Sequence, residues 1–123
     1  MKNNSSLSGS FLNAVRGILK VLTRQRNFYI EIVIALLVIT AGFFFALNPV
    51  EWCIILLCIA LVISLEAINT AIEHLADAVK PEFDPLIGKA KDVSAGAVLI
   101  ASMFAGITGI IIFAPRMAAI FTD

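Results

Sequence analysis

Apolar and polar positions fall into four helical blocks along the chain. From Phe11 to Arg26, the apolar residues Phe11, Val15, Ile18, Leu19 and Leu22 share one side of a helix. Arg16, Lys20 and Arg24 gather on another side, the pattern of a basic amphipathic helix lying on a membrane surface. From Phe28 to Leu47 the only charge is Glu31. About 20 such residues make a helix of about 30 Å, enough to cross a bilayer. Asn48-Pro49 marks a tight connection, and Pro49 suits the opening turn of a new helix. That helix is expected over residues 50–79, with Glu51 and Trp52 at the membrane interface and Lys80-Pro81 as its stop. A polar loop follows from Pro81 to Lys89. A third span is expected over residues 93–113, capped by Ser94 or Asp92 and ended by Pro115. Residues 1–10 carry no such period and read as a flexible N-terminus.

The expected fold is therefore all-α: an integral membrane protein with one domain over residues 11–123. It has a surface helix (11–26) and three transmembrane helices (28–47, 50–79, 93–113). Composition agrees, with 60% hydrophobic and 15% charged residues among 123, against about 45–50% and 25% in soluble domains. Zero net charge gives no electrostatic footing for nucleic acid. Cys53 and Cys58 sit in an apolar run on different helix faces and read as small membrane-buried hydrophobes, with no metal or disulfide inference. The N-terminus lacks the apolar core and cleavage site of a signal peptide. Lys2, Arg16, Lys20, Arg24 and Arg26 fall on the same side as Lys80, Lys89 and Lys91, with Arg116 alone opposite. The positive-inside rule then places the N-terminus and the 80–92 loop in the cytoplasm and the C-terminus outside.

Chemistry concentrates on the second span. Its first part, Trp52 to Leu65, is uncharged; then come Glu66, Asn69, Thr70, Glu73 and Asp77. At about 100° per residue, the three carboxylates fall within roughly 40° of one another, flanked by Asn69 and Thr70. Carboxylates in a membrane helix are costly and mark function by default. With Trp52 at the outer interface, Glu66 lies about 21 Å deeper and Glu73 about 32 Å. Glu73 and Asp77 can then meet a soluble ligand, while Glu66 meets a lipid headgroup. Two carboxylates, an amide and a nearby Lys91-Asp92 are the inventory of magnesium-assisted phosphoryl transfer. No P-loop is present, since Gly88-Lys89 is followed by Ala90 and lacks its upstream glycine, and kinase HRD and DFG signatures are missing. Three classes fit these residues: a lipid-modifying enzyme, an ion or proton transporter, and a structural subunit glued by its polar stripe. A relay would extend into the outer half of the span, where only the cysteine thiols ionise, so the balance tilts to the enzyme. His74 and Phe43-Phe44-Phe45 take bland readings, as an interfacial structural histidine and as lipid-facing filler.

The run Glu66-Ala67-Ile68-Asn69-Thr70-Ala71-Ile72-Glu73, then Asp77, then Lys89-Ala90-Lys91-Asp92 and Ala95-Gly96-Ala97-Val98-Leu99-Ile100, closely resembles the small prokaryotic diacylglycerol kinase and undecaprenol kinase family. The likeness extends to Arg16-Gly17 and Arg26-Asn27-Phe28 and covers nearly all of residues 11–113. It implies a homotrimer with shared active sites that moves the γ-phosphate of MgATP to a lipid alcohol. It implies Glu66 as the catalytic base and Asn69 as a positioning residue. Glu73 is the implied magnesium carboxylate, and Lys91, Asp92, Arg16 and Asp77 the nucleotide side. Family members carry a second metal carboxylate where this chain has Gln25, an amide that can coordinate metal without charge. Glu31 is a candidate to compensate, although six residues on it points to a different face. Arg26-Asn27-Phe28, Glu51-Trp52 and Glu73-His74 are similar to the Gram-positive undecaprenol kinase branch, whereas Glu31 stands where that branch often has His. The balance favours undecaprenol over diacylglycerol.

Overall fold

The computed structural model describes residues 6–122 as four helices: α1 (Leu7–Arg24), α2 (Arg26–Phe44), α3 (Pro49–Val79) and α4 (Pro85–Thr122). The last three are each long and apolar enough to cross a membrane. The Ser6 hydroxyl caps α1 by accepting from the Gly9 amide at 3.3 Å. Residues 7–10, expected to be flexible, are therefore helical; residues 1–5 lie outside the described residues. At its other end α1 stops at Arg24, not Arg26, because Gln25 is extended (φ −111°, ψ 112°). Helix hydrogen bonding resumes at once, with Tyr29 N on Gln25 O at 3.2 Å. One residue thus separates α1 from α2, and α2 starts two residues earlier than the pattern suggests.

Expected to reach Leu47, α2 ends at Phe44. Leu47 N bonds Gly42 O at 3.1 Å and Ala46 N bonds Phe43 O at 3.3 Å, while Ala46 takes φ 52°. This is a Schellman motif with alanine in the left-handed position where glycine is favoured. Asn48 then caps α3: its Oδ1 accepts from Glu51 N at 2.9 Å, and Glu51 Oε1 accepts from Asn48 N at 3.2 Å. Pro49 opens the helix as anticipated. Phe43 lies against Trp52 (centroids 4.8 Å apart) and Phe45 against Phe113 (6.0 Å). Phe43 thus meets the first turn of α3 and Phe45 meets α4, while Phe43 and Phe44 stay largely exposed, as lipid-facing residues would be.

The third span departs most from expectation. It begins at Pro85, because Asp84 Oδ1 accepts from Leu86 N (2.9 Å) and Ile87 N (3.2 Å) and caps the helix with Pro85 at its first position. Asp92 and Ser94 are interior residues, not caps. Nor does Pro115 end the helix, which continues to Thr122. Proline removes one backbone donor, the one that would reach the Ile111 carbonyl, and the residue after it anchors the turn. Arg116 Nη1 donates to Ile112 O at 2.9 Å, and Nη1 and Nη2 fork onto Glu51 Oε2 and Oε1, both at 2.6 Å. This bidentate pair ties the far end of α4 to the first turn of α3.

The antiparallel helices α3 and α4 pack along their length, whereas α2 leans on α3 without packing on α4, and α1 touches the neighbouring ends of α2 and α3. The buried cluster is small: Leu47, Ile55 and Ile112, with Val38, Trp52, Ile59 and Phe113 against it. Large apolar side chains such as Leu37, Leu57 and Phe104 are exposed on the single chain. Surface of this kind suits lipid or neighbouring chains rather than water.

Candidate active site

The polar stripe of α3 sits where α4 packs against it. Glu66, Asn69 and Thr70 are buried, at 6%, 8% and 1% exposure. Glu73 is half-buried and Asp77 exposed, so the stripe runs from dry to wet over three turns. Asn69 Nδ2 lies 3.5 Å from Glu73 Oε1, and Ser94 of α4 donates its hydroxyl to Asn69 Oδ1 at 2.5 Å. One turn earlier on α4, Lys91 Nζ contacts Asp77 Oδ1 at 2.5 Å. Register between α3 and α4 thus brings together Asn69, Glu73, Asp77 and Lys91, four residues singled out from sequence, and adds Ser94.

Glu31 enters from α2. It interacts electrostatically with Glu66, as Glu66 does with Glu73. The Glu31 Oε2 atom is buried and has no hydrogen-bond partner among the described residues. It stands at one end of an apolar cavity of about 520 Å³ in the gap between α2, α3 and α4. That cavity continues past Ala35, Ile59 and Gly106 to Phe113 and Met117. From Ser102 to Met117 its wall on α4 spans about 22 Å at 1.5 Å per residue.

Gln25 reaches α3 one residue from Glu73, with its Nε2 atom 3.4 Å from His74 Nε2. His74 is thereby a structural partner at the α1–α2 break. Arg16 on α1 and Asp92 on α4 are exposed. Among the described residues, no hydrogen bond or ion pair joins either of them to the cluster. No set of three or more His, Cys, Asp or Glu among those residues forms a cage for a metal ion. At the wet end, Lys80 bonds Asp84 at 2.6 Å. Lys80, with the Ile87 and Leu86 amides, holds the Asp84 carboxyl below the usual carboxylate range.

Two of these residues gain weight only from the structure. Glu31, the lone charge of its span and a stand-in for the carboxylate absent at Gln25, gains it from its half-buried place near Glu66 and from an Oε2 atom with no partner among the described residues. Ser94 had no signal, since its contact with Asn69 depends on how α4 registers against α3.

Three membrane-length helices carry a carboxylate stripe that runs from buried Glu66 to exposed Asp77 beside Lys91, an arrangement that suits a small membrane enzyme joining a soluble reagent to a lipid. Residues 12–113 match the model for prokaryotic diacylglycerol kinase, and the chain belongs to that family of membrane lipid kinases. Kinases of this kind take their phosphoryl group from ATP and pass it to an alcohol. Among its relatives is an undecaprenol kinase of Bacillus subtilis, 41% identical over 88% of each chain. A diacylglycerol kinase of Synechocystis is 35% identical over 90% of this chain and 64% of its own length. One from Escherichia coli K12 is 30% identical over 76% of each.

Proposed function

We propose that the protein phosphorylates undecaprenol, transferring the γ-phosphate of MgATP to the terminal hydroxyl of that lipid. The observation that carries this reading is the placing of Glu66: buried, within electrostatic reach of Glu31, which lines the end of the apolar cavity, and about 10 Å deeper along α3 than Glu73. A lipid hydroxyl at that depth meets the Glu66 carboxylate, which accepts its proton as the oxygen attacks phosphorus. Asn69 orients the reacting groups from the same face. Lys91, held by Asp77, offsets phosphate charge, with Asp92 and Arg16 completing the nucleotide side. The cavity runs further than the roughly 15 Å of a single leaflet's hydrocarbon, which suits a polyprenol tail. The similarity to the B. subtilis undecaprenol kinase favours the same lipid. Diacylglycerol is the second reading, favoured by the names of the other relatives.

Glu73 is the proposed magnesium ligand, with Gln25 as a neutral second donor. The residues fit a magnesium ion that arrives with its nucleotide: such an ion takes one or two carboxylates plus phosphate oxygens and needs no all-protein cage. When bound, magnesium neutralises charge on the phosphates. The chain's own groups hold the nucleotide and orient the lipid. Further parts of the reading are α1 as an amphipathic helix on the inner membrane surface, a cytoplasmic N-terminus with the C-terminus outside, and a homotrimer with shared sites. The exposed apolar residues Phe11, Ile18 and Leu19 of α1 and the clustered cytoplasmic lysines and arginines support the first two. Purified protein given radiolabelled ATP with undecaprenol or diacylglycerol in parallel tests the reading. Label in undecaprenyl phosphate is expected, and preferential labelling of diacylglycerol would transfer the assignment to the second lipid.

A further inference from the structure

Asparagine amides are nearly symmetric in shape, so packing alone does not decide which end is oxygen and which is NH₂. At Asn69 that choice matters, because one end faces the Glu73 carboxylate and the other faces Ser94. A carboxylate only accepts hydrogen bonds, so the productive orientation turns NH₂ toward Glu73. The contact there is long, 3.5 Å, and weak by itself. On the opposite side, Ser94 Oγ lies 2.5 Å from Asn69 Oδ1 and 3.0 Å from its own helix carbonyl at Lys91. The hydroxyl has one proton and two acceptors. Given to Lys91 O, the proton would let Ser94 accept from a flipped amide, and Asn69 would then aim its oxygen at Glu73. Given to Oδ1, it fixes the amide with both N–H groups toward the carboxylate and the phosphoryl site.

The geometry points to Ser94 as the residue that sets the orientation of the Asn69 amide, a positioning role for the transfer step. This rests on the kinase reading of the stripe. Asn69 is buried, so loss of the hydroxyl leaves Oδ1 without its donor and frees the amide to flip. The hydroxyl is also what couples the two helices at this point: it rises from the turn that carries Lys91 and acts on the turn that carries Glu73.

The test combines kinetics with a signal that needs no turnover. Ser94→Ala is expected to lower kcat about tenfold, the effect of losing one net hydrogen bond at the transition state, with KM for the lipid unchanged. Ser94→Thr, which keeps the hydroxyl, is expected to restore most of the loss. In an Asn69→Ala background, Ser94→Ala should have no further effect. In wild-type protein in detergent, the Asn69 side-chain amide protons should show no nuclear Overhauser contact to the Ser94 β-protons. Strong contact there, or Ser94→Ala with wild-type kcat, overturns the inference even while the wild type phosphorylates lipid. A wild type that labels no lipid alcohol overturns the kinase reading instead. Should Ser94→Ala not fold, the wild-type Overhauser measurement still decides the orientation.

Discussion

Lys91 on α4 reaches Asp77 on α3, fourteen residues earlier in the chain, with Nζ 2.5 Å from Oδ1. Both side chains are partly exposed, at 34% and 62%, so the pair is worth no more than about 1 kcal/mol to stability. The pair holds the ammonium one turn from Glu73, the place the proposed nucleotide side requires. Asp77→Asn is expected to leave the thermal midpoint nearly unchanged and to raise KM for ATP about threefold to fivefold, with kcat within twofold. Initial rates against ATP concentration check this, and an unchanged KM would remove Asp77 from the nucleotide side.

The α2–α3 turn sets up two substitutions of opposite sign. Ala46 holds φ 52°, a conformation that costs an L-residue about 1 kcal/mol or more and glycine little. Ala46→Gly is expected to stabilise the protein by up to about 1 kcal/mol. A Cβ on Gly42 would lie 2.7 Å from Trp52 Cη2 and 3.0 Å from Cζ2, so Gly42→Ala must displace the indole ring. Overpacking of this kind costs about 1–3 kcal/mol. Thermal unfolding in a fixed detergent compares the two, and specific activity should follow neither change, since the turn lies at the far end from Glu73.

Glu31 should separate stability from activity. Its Oε2 atom is buried without a partner among the described residues, an arrangement that costs free energy and persists at functional sites. Glu31→Leu is expected to keep or raise the thermal midpoint while lowering turnover about tenfold or more. Loss of stability with activity intact would make the carboxylate structural.

The cap of α4 responds to acid. Lys80 and the Leu86 and Ile87 amides depress the folded Asp84 carboxyl below its value in an unfolded chain, about 3.9. Its stabilisation is therefore complete above that unfolded value and is lost as pH falls through the lower, folded one. Protection of the Leu86 and Ile87 amides, relative to their intrinsic exchange, should fall below pH about 4 in the wild type. In Asp84→Asn protection should be low throughout and should not change over that range.

Helix count, the α2–α3 turn and the stripe were legible because each depends on local pattern. Glu66, Asn69, Glu73 and Asp77 share a face through the helical period alone. What stayed hidden depends on contacts distant in sequence. Pro115 reads as a stop until Arg116 is seen forked onto Glu51, sixty-five residues away. Asp84 looks like loop until its oxygen is seen under two amides of the next turn. Ser94 reads as a cap until α3 is laid beside it. For Gln25, the amide contact with His74 places it near Glu73 without making it a ligand, so its metal role remains a proposal.

The central claim is that Glu66 and Glu73, seven residues apart on one face, divide the labour of base and nucleotide-metal ligand. Glu66→Gln keeps shape and removes the base. Turnover of radiolabelled ATP into undecaprenyl phosphate should fall about 100-fold or more, with magnesium-dependent ATP binding close to wild type. Glu73→Gln should instead weaken that binding, with rising magnesium recovering part of the loss. Measuring phosphoryl transfer and nucleotide binding side by side on the two variants is the most direct test. The predicted result is a split between them, and small, equal effects on both quantities in both variants would contradict it.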